Sequence, residues 1–244
     1  MTSARRVEAV TVDLDDTLYE QRHFLVGAWA AVADAGAARG LARGPLHRAL
    51  LDVASEGSDR GRIVDRALER IGAEPAHAAP LVDAFRRFEP DLLAVYPGAR
   101  AALAALRARV PVACITDGDP GIQRAKLRAL ALDDAFDALV ISDEIGRDVR
   151  KPHPLPFLRA VQALGVAVER TVHVGDRPAK DVAGAAAAGL LAVRVTTGEY
   201  GDDPIPPGCP APLATVASVR EAFELIATLA TTAVDPSSHA VARR

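Results

Sequence analysis

The sequence predicts an α/β fold: a parallel sheet flanked by helices, with an all-helical insert after the first strand. Three observations carry that reading. Short apolar, β-branched runs alternate with helical patterns through the second half of the chain. Each run ends in polar residues, as strands do when they open onto a sheet edge. Residues 20–95, in contrast, contain helical patterns and no convincing strand.

The first strand is expected over Val7 to Val12, running into Asp13. The second is expected over Val110 to Ile115, before Thr116 and Asp117. Leu139 to Ile141 runs into Ser142 and Asp143, Thr171 to Val174 into Gly175 and Asp176, and Leu191 to Val195 into Thr196 and Thr197. Helices are expected at Ala99 to Arg109, Gly121 to Leu130, Pro156 to Leu164 and Ala179 to Ala188. Inside the insert, Phe24 to Ala38, Pro45 to Ala54, Gly61 to Ile71 and Ala79 to Phe88 read as helices, punctuated by Gly40, Gly44, Gly72 and Pro75. Gly201 to Pro212 is Pro-rich and reads as a loop. These features divide the chain into a core of residues 1–19 and 96–230, a helical insert of residues 20–95, and a polar tail of residues 231–244 expected to be flexible.

Composition narrows the function classes. The chain has 244 residues, half of them hydrophobic and 25% charged, with a net charge of −3. That balance offers no electrostatic footprint for nucleic acid or an anionic membrane. Val182 to Val195 is the longest apolar stretch, and Gly184, Gly189 and Arg194 break it well short of a membrane span. Cys114 reads as a small core residue and Cys209 as a loop thiol, which is not a disulfide framework. Without a signal segment behind Met1 to Arg6, the expected location is the cytoplasm.

The chemistry lies at the strand ends. In an extended segment, residues two apart face the same side, so Asp13 and Asp15 can enter one site while Leu14 turns away. Paired carboxylates repel each other unless a cation or a shared proton intervenes, and a hard cation with oxygen ligands answers that need. An acidic turn capping the next helix explains the same residues equally well. Gly175 permits a tight turn that leaves Asp176 at the C-terminal edge, with Asp181 five residues on; helix capping is the plainer role for Asp176. Thr116, with Gly118 close behind, offers a hydroxyl and backbone amides to an anionic oxygen, although Thr-Asp-Gly is also ordinary turn chemistry. Lys151, between Arg150 and Pro152-His153-Pro154, could neutralise phosphate charge or be a surface lysine. His173 lies within a strand and reads as a packed, hydrogen-bonded core residue.

Taken together, the order Asp-x-Asp, Thr, Lys, Gly-Asp, Asp resembles the haloacid dehalogenase (HAD) superfamily. Asp13 to Thr17 matches its first motif, Thr116 the second, Lys151 the third, and Gly175-Asp176 with Asp181 the fourth. Ile115-Thr116-Asp117-Gly118, then Gln123 and Lys126-Leu127, with Lys151-Pro152-His153-Pro154, is similar to the phosphatase branch. The resemblance covers roughly Val7 to Tyr19 and Tyr96 to Tyr200.

That resemblance implies a Rossmann-like sheet in the order 5-4-1-2-3 with the insert as a helical cap. It implies Asp13 as nucleophile, Asp15 as general acid and base, and Thr116 and Lys151 as catalytic phosphoryl contacts. Asp13, Asp15, Asp176 and Asp181 would hold or support Mg²⁺, with Asp15 acting through its backbone carbonyl and Asp181 orienting Lys151. Asp16, Thr17, Asp117, Gly118, Tyr19 and His23 are the expected substrate-binding residues. The partner implied is a small-molecule phosphoester, met by a monomer or homodimer. A phosphomutase shares every motif. A hydrolytic dehalogenase would not need Asp15 as an acid, and a non-catalytic binding protein would not need the full acidic and lysine set. A dinucleotide-binding dehydrogenase would need a Gly-x-Gly-x-x-Gly turn after the first strand, and Asp13 to Leu18 has none.

Overall fold

The structure, a computed structural model, describes residues 6–57 and 61–231. Of the predicted tail, residues 232–244 lie outside the described residues. The strands are β1 Ala9–Val12, β2 Val112–Thr116, β3 Ala138–Ile141, β4 Thr171–Gly175, β5 Leu191–Val195 and β6 Ala214–Val216. They form one parallel sheet in the order β3-β2-β1-β4-β5-β6. The first five strands therefore stand in the expected order. The difference is β6, which adds an edge beside β5. Only three residues long, partly exposed and preceded by a Pro-rich loop, it carries almost no strand signal.

The chain divides into two compact units. One holds residues 6–18, 96–116 and 134–231 and contains the whole sheet. Its helices are α5 Ala99–Arg107, α7 Ser142–Ile145, α8 Leu155–Leu164, α9 Ala183–Ala188 and α10 Val219–Thr231. Every residue of β1, β2 and β4 is buried. Strands covered on both faces need no polar alternation, which is why these read as continuous apolar runs. Phe157 and Val161 of α8, with Ala185 and Ala188 of α9, pack around Ala113 and Ile115. α10 packs on β4, β5 and β6 and against α5. Its buried Val219, Ala222, Phe223, Ile226 and Ala230 repeat at helical spacing, a signal the sequence reading passed over.

The other unit holds residues 19–95 and 117–133. It comprises α1 Gln21–Ala37, α2 Arg43–Ala54, α3 Ile63–Arg70, α4 Ala78–Arg86 and α6 Pro120–Ala129. Trp29, Val32, Leu46, Leu50, Leu68 and Leu81 form its core. Gly36 lets α1 and α2 approach closely, since a Cβ there would meet Leu46 at 2.4 Å. The segments entering and leaving pair through an antiparallel bridge from Tyr19 to Val95. Residues 117–133, which the sequence boundaries group with 96–230, cluster here because α6 carries Lys126 over the Phe24 ring at 4.7 Å and accepts the Leu93 N–H at Ala129 O, 3.0 Å. Among the described residues, no helix is long and apolar enough to cross a membrane.

Candidate active site

β1 ends at Val12, and Asp13 is held at its tip by its own N–H donating to Val174 O at 2.9 Å. The next strand over, β4, ends at Gly175, so Asp176 emerges beside Asp13. Asp181 comes back toward the same point on a π-helical turn, Pro178–Val182, where the sequence suggested regular helix. π-turns inside helices recur at functional sites because they re-aim one side chain. The absence of a side chain at Gly175 admits Asp181: a Cβ there would lie 2.3 Å from Asp181 Cγ. Lys151 arrives from the loop after β3. Arg150, its neighbour, is held by Asp143 of α7 through Nε at 2.5 Å and Nη2 at 2.6 Å.

These four side chains meet in the interior. Asp13, Lys151, Asp176 and Asp181 are all buried. Lys151 Nζ donates to Asp13 Oδ1, to Asp181 Oδ1 at 2.7 Å and, at 3.5 Å, to Ile115 O. Carboxylate oxygens of Asp13, Asp176 and Asp181 all lie within 4.8 Å of one another. Thr17 Oγ1 lies 3.3 Å from Asp13 Oδ2 and 3.2 Å from Asp176 Oδ1. One hydroxyl proton cannot serve both. Asp176 Oδ2 is buried with no hydrogen-bond partner.

Three carboxylates therefore face one lysine. Burial, reinforced by the charges of Asp181, Asp13 and Asp16, pushes the Asp176 carboxyl up to about 9. Burial also raises Asp13, to about 7, against the pull of Lys151. Burial works on Asp181 too, but Lys151 and His173 overcome it and hold that group well below the usual carboxylate range. A buried orphan oxygen and two carboxyls that resist ionisation fit a hard divalent cation, whose charge and oxygen preference would relieve both. Asp181 has less room for such an ion. Its Oδ1 already accepts from Lys151 and His173, and its Oδ2 from the Arg177 N–H at 3.0 Å.

Thr116 ends β2 with its hydroxyl buried and without a partner. Ser142, one residue past β3, has a hydroxyl in the same condition, which the sequence reading did not single out. Asp15 is half-buried, and its side chain is not among the clustered oxygens. Asp16 takes a left-handed conformation, φ 59°, and ties the loop after β1 to the loop after β5: its carbonyl accepts from Thr197 Oγ1 at 2.5 Å and its Oδ2 from the Glu199 N–H at 3.4 Å. Of the remaining expected contacts, Asp117, Gly118, Tyr19 and His23 belong to the helical unit. There Tyr19 is fully buried, and exposed His23 pairs with Glu20 at 3.5 Å. His153 Nδ1 accepts the Leu155 N–H at 3.1 Å at the start of α8.

Comparison with known proteins agrees with this geometry. A glyceraldehyde 3-phosphate phosphatase from Methanopyrus kandleri is 38% identical over 204 residues, covering 80% of this chain and 87% of that protein. A phosphoserine phosphatase from Thermus thermophilus is 42% identical over 149 residues, covering 61% of this chain and 59% of that protein. A solved 2-haloacid dehalogenase from Pseudomonas syringae pv. Tomato superposes with a TM-score of 0.64 at 27% identity, over 91% of this chain and 99% of that one. The model of the haloacid dehalogenase-like hydrolases matches residues 7–189. With three quarters of its length matched and its acidic strand ends meeting around one lysine, the chain belongs to the haloacid dehalogenase-like hydrolase family.

Proposed function

We propose that the protein is a Mg²⁺-dependent phosphomonoesterase that hydrolyses a small organic phosphate through phospho-Asp13. The observation that carries this reading is the surplus of buried carboxylate over cation: among the described residues, Asp13, Asp176 and Asp181 cluster around the one ammonium of Lys151, and Asp176 Oδ2 has no hydrogen-bond partner. A dianionic phosphoryl group adds further negative charge, so the site fits it only with a cation. The relatives named for glyceraldehyde 3-phosphate and phosphoserine support substrates of that size.

In this reading an Asp13 carboxylate oxygen attacks phosphorus while the bond to the leaving oxygen breaks. Asp15 donates its proton to that oxygen. Asp15 then takes a proton from water as the water attacks phosphorus, the bond to Asp13 breaks and phosphate is released. Lys151 and the Thr116 hydroxyl stabilise charge on the transferring oxygens. Asp13, Asp176 and the Asp15 carbonyl would hold Mg²⁺, which supplies charge neutralisation and orientation when bound. The insert at residues 20–95 is read as the substrate-selecting part. Substitutions at Arg22 or His23 should shift preference within a substrate panel and leave a small aryl phosphate largely unaffected.

The test is a panel of phosphometabolites with Mg²⁺, reading free phosphate, followed by acid quench and mass spectrometry. Phosphate release that stops on chelation, with a phosphoryl adduct on Asp13 absent from Asp13→Asn, is the expected result. Halide release from a 2-haloacid by chelator-treated protein would favour the dehalogenase reading instead.

A further inference from the structure

A chain of buried hydrogen bonds runs from the sheet interior to Lys151, and its first two members lie outside the family motifs read above. Thr11 and His173 are register partners on adjacent strands β1 and β4, so their side chains share one face of the sheet. Both are fully buried. Thr11 Oγ1 lies 2.9 Å from His173 Nδ1, and His173 Nε2 lies 3.2 Å from Asp181 Oδ1. That same oxygen accepts from Lys151 Nζ at 2.7 Å, and Nζ also reaches Asp13. Strand parity puts Asp13 two residues beyond Thr11 and Gly175 two residues beyond His173. The space left at Gly175 is where Asp181 sits.

The hydrogen-bond directions follow from the chemistry. Asp181, flanked by Lys151, is ionised and can only accept. His173 Nε2 must then carry the proton. With Nε2–H donating to Asp181, the neutral ring leaves Nδ1 as an acceptor, and the Thr11 hydroxyl 2.9 Å away donates to it. Phe157 lies edge-on to the ring, centroids 4.9 Å apart, and limits its rotation. Two polar side chains fully buried in the sheet interior would each be destabilising without partners. Here every ring nitrogen is used, and the net effect is to fix the plane of one carboxylate.

We propose that Thr11 and His173 are a positioning pair: Thr11 sets the tautomer of His173, His173 orients Asp181, and Asp181 aims Lys151 at Asp13. This rests on the reading of Asp13 and Lys151 given above. Neither residue of the pair touches the reacting atoms. Partners that orient a ligand or catalytic group from behind are typically worth about 10–100-fold in activity.

The experiment compares His173→Leu, His173→Gln and Thr11→Val in full-length protein with Mg²⁺. The expected result is a kcat reduced about 10–100-fold in His173→Leu with KM nearly unchanged. His173→Gln, whose amide can still donate toward Asp181, should recover part of that loss. Thr11→Val, nearly isosteric and safe for the strand, should show a smaller loss of the same kind, and it carries the kinetic test if His173→Leu does not fold. Long-range ¹H–¹⁵N spectra of the wild-type ring should show the Nε2–H tautomer. Wild-type kcat in folded Thr11→Val and His173→Leu overturns the proposal, as does an Nδ1–H tautomer, whatever the substrate proves to be. Failure of the underlying reading would appear separately, as normal turnover by Asp13→Asn.

Discussion

The apolar core of the helical unit and the sheet edge bury opposite kinds of side chain. In the first, Trp29, Val32, Leu46, Leu50 and Leu81 fill the interior, while Asp34 and Arg43 pair at the surface. At the sheet edge, Asp13, Lys151, Asp176, Asp181 and His173 lie under the surface, and among the described residues Asp176 Oδ2 and Thr116 Oγ1 have no hydrogen-bond partner. An apolar interior is stabilised by burial itself, at about 25 cal/mol per Å². A cluster of buried carboxyls is held in place by its surroundings, and ionising more of it than Lys151 offsets opposes folding. One region is therefore built for stability and the other for affinity.

Substitutions should separate the two. The largest effect is expected at Lys151→Met. It removes a cation that touches both Asp13 and Asp181, leaving buried charge uncompensated at about 3–5 kcal/mol. It should also lower kcat by the ~2.7–4 kcal/mol that one transition-state charge contact supplies. Thermal melts and steady-state kinetics would check both, and Mg²⁺ should restore part of the lost melting temperature. A variant with wild-type Tm and kcat would erase the contrast.

Leu50→Ala comes next. Leu50 is fully buried in the helical core, so truncation should cost about 2–5 kcal/mol in denaturant unfolding. The kcat of the protein that remains folded should stay near wild type.

A smaller effect should appear in the pH dependence of metal-free protein. Asp176 keeps its proton to about pH 9 when folded but loses it near pH 4 when unfolded. Between those values the unfolded state binds fewer protons, so stability falls as pH rises. Asp13 adds to the slope up to about pH 7. Melting curves in chelator should show this decline, Mg²⁺ should flatten it, and Asp176→Asn should weaken it and abolish the Mg²⁺-induced rise in Tm. A flat chelator profile would mean the cluster is not strained by its own charge.

The smallest effect is expected at Asp34→Asn. Its pair with Arg43 is exposed on both sides, and solvent screening should leave Tm unchanged.

Much of the sheet edge was readable because strands that end in acids announce themselves one residue at a time. Asp13, Thr116 and Asp176 each follow an apolar run, and Lys151 follows a fourth after a loop. Their convergence needed only the parallel topology. What escaped reading depends on pairing across distance. That His173 stands beside Thr11 follows from the β1–β4 register, which no local pattern encodes. The π-turn that redirects Asp181 is likewise invisible in an Ala-rich helical segment. The helical unit was legible as helices, but the attachment of α6 to it rests on contacts such as Lys126 with Phe24, about a hundred residues apart in the chain. The burial of Tyr19, an expected substrate-binding residue, and its bridge to Val95 also depend on pairing across distance, since an aromatic next to a charged loop looks the same whether it faces solvent or a neighbouring strand.

The bond between Thr197 and Asp16 has a consequence in time. It joins residues 181 positions apart, and a Cβ on Gly198 would collide with Asp16 at 2.2 Å, so the two loops interlock. At about 5–20 residues per second, a ribosome that has made the loop after β1 needs roughly 10–40 s more before its clasp exists. Through that interval the left-handed turn at Asp16 has no clasp to hold it, and Asp13 stands outside any organised site.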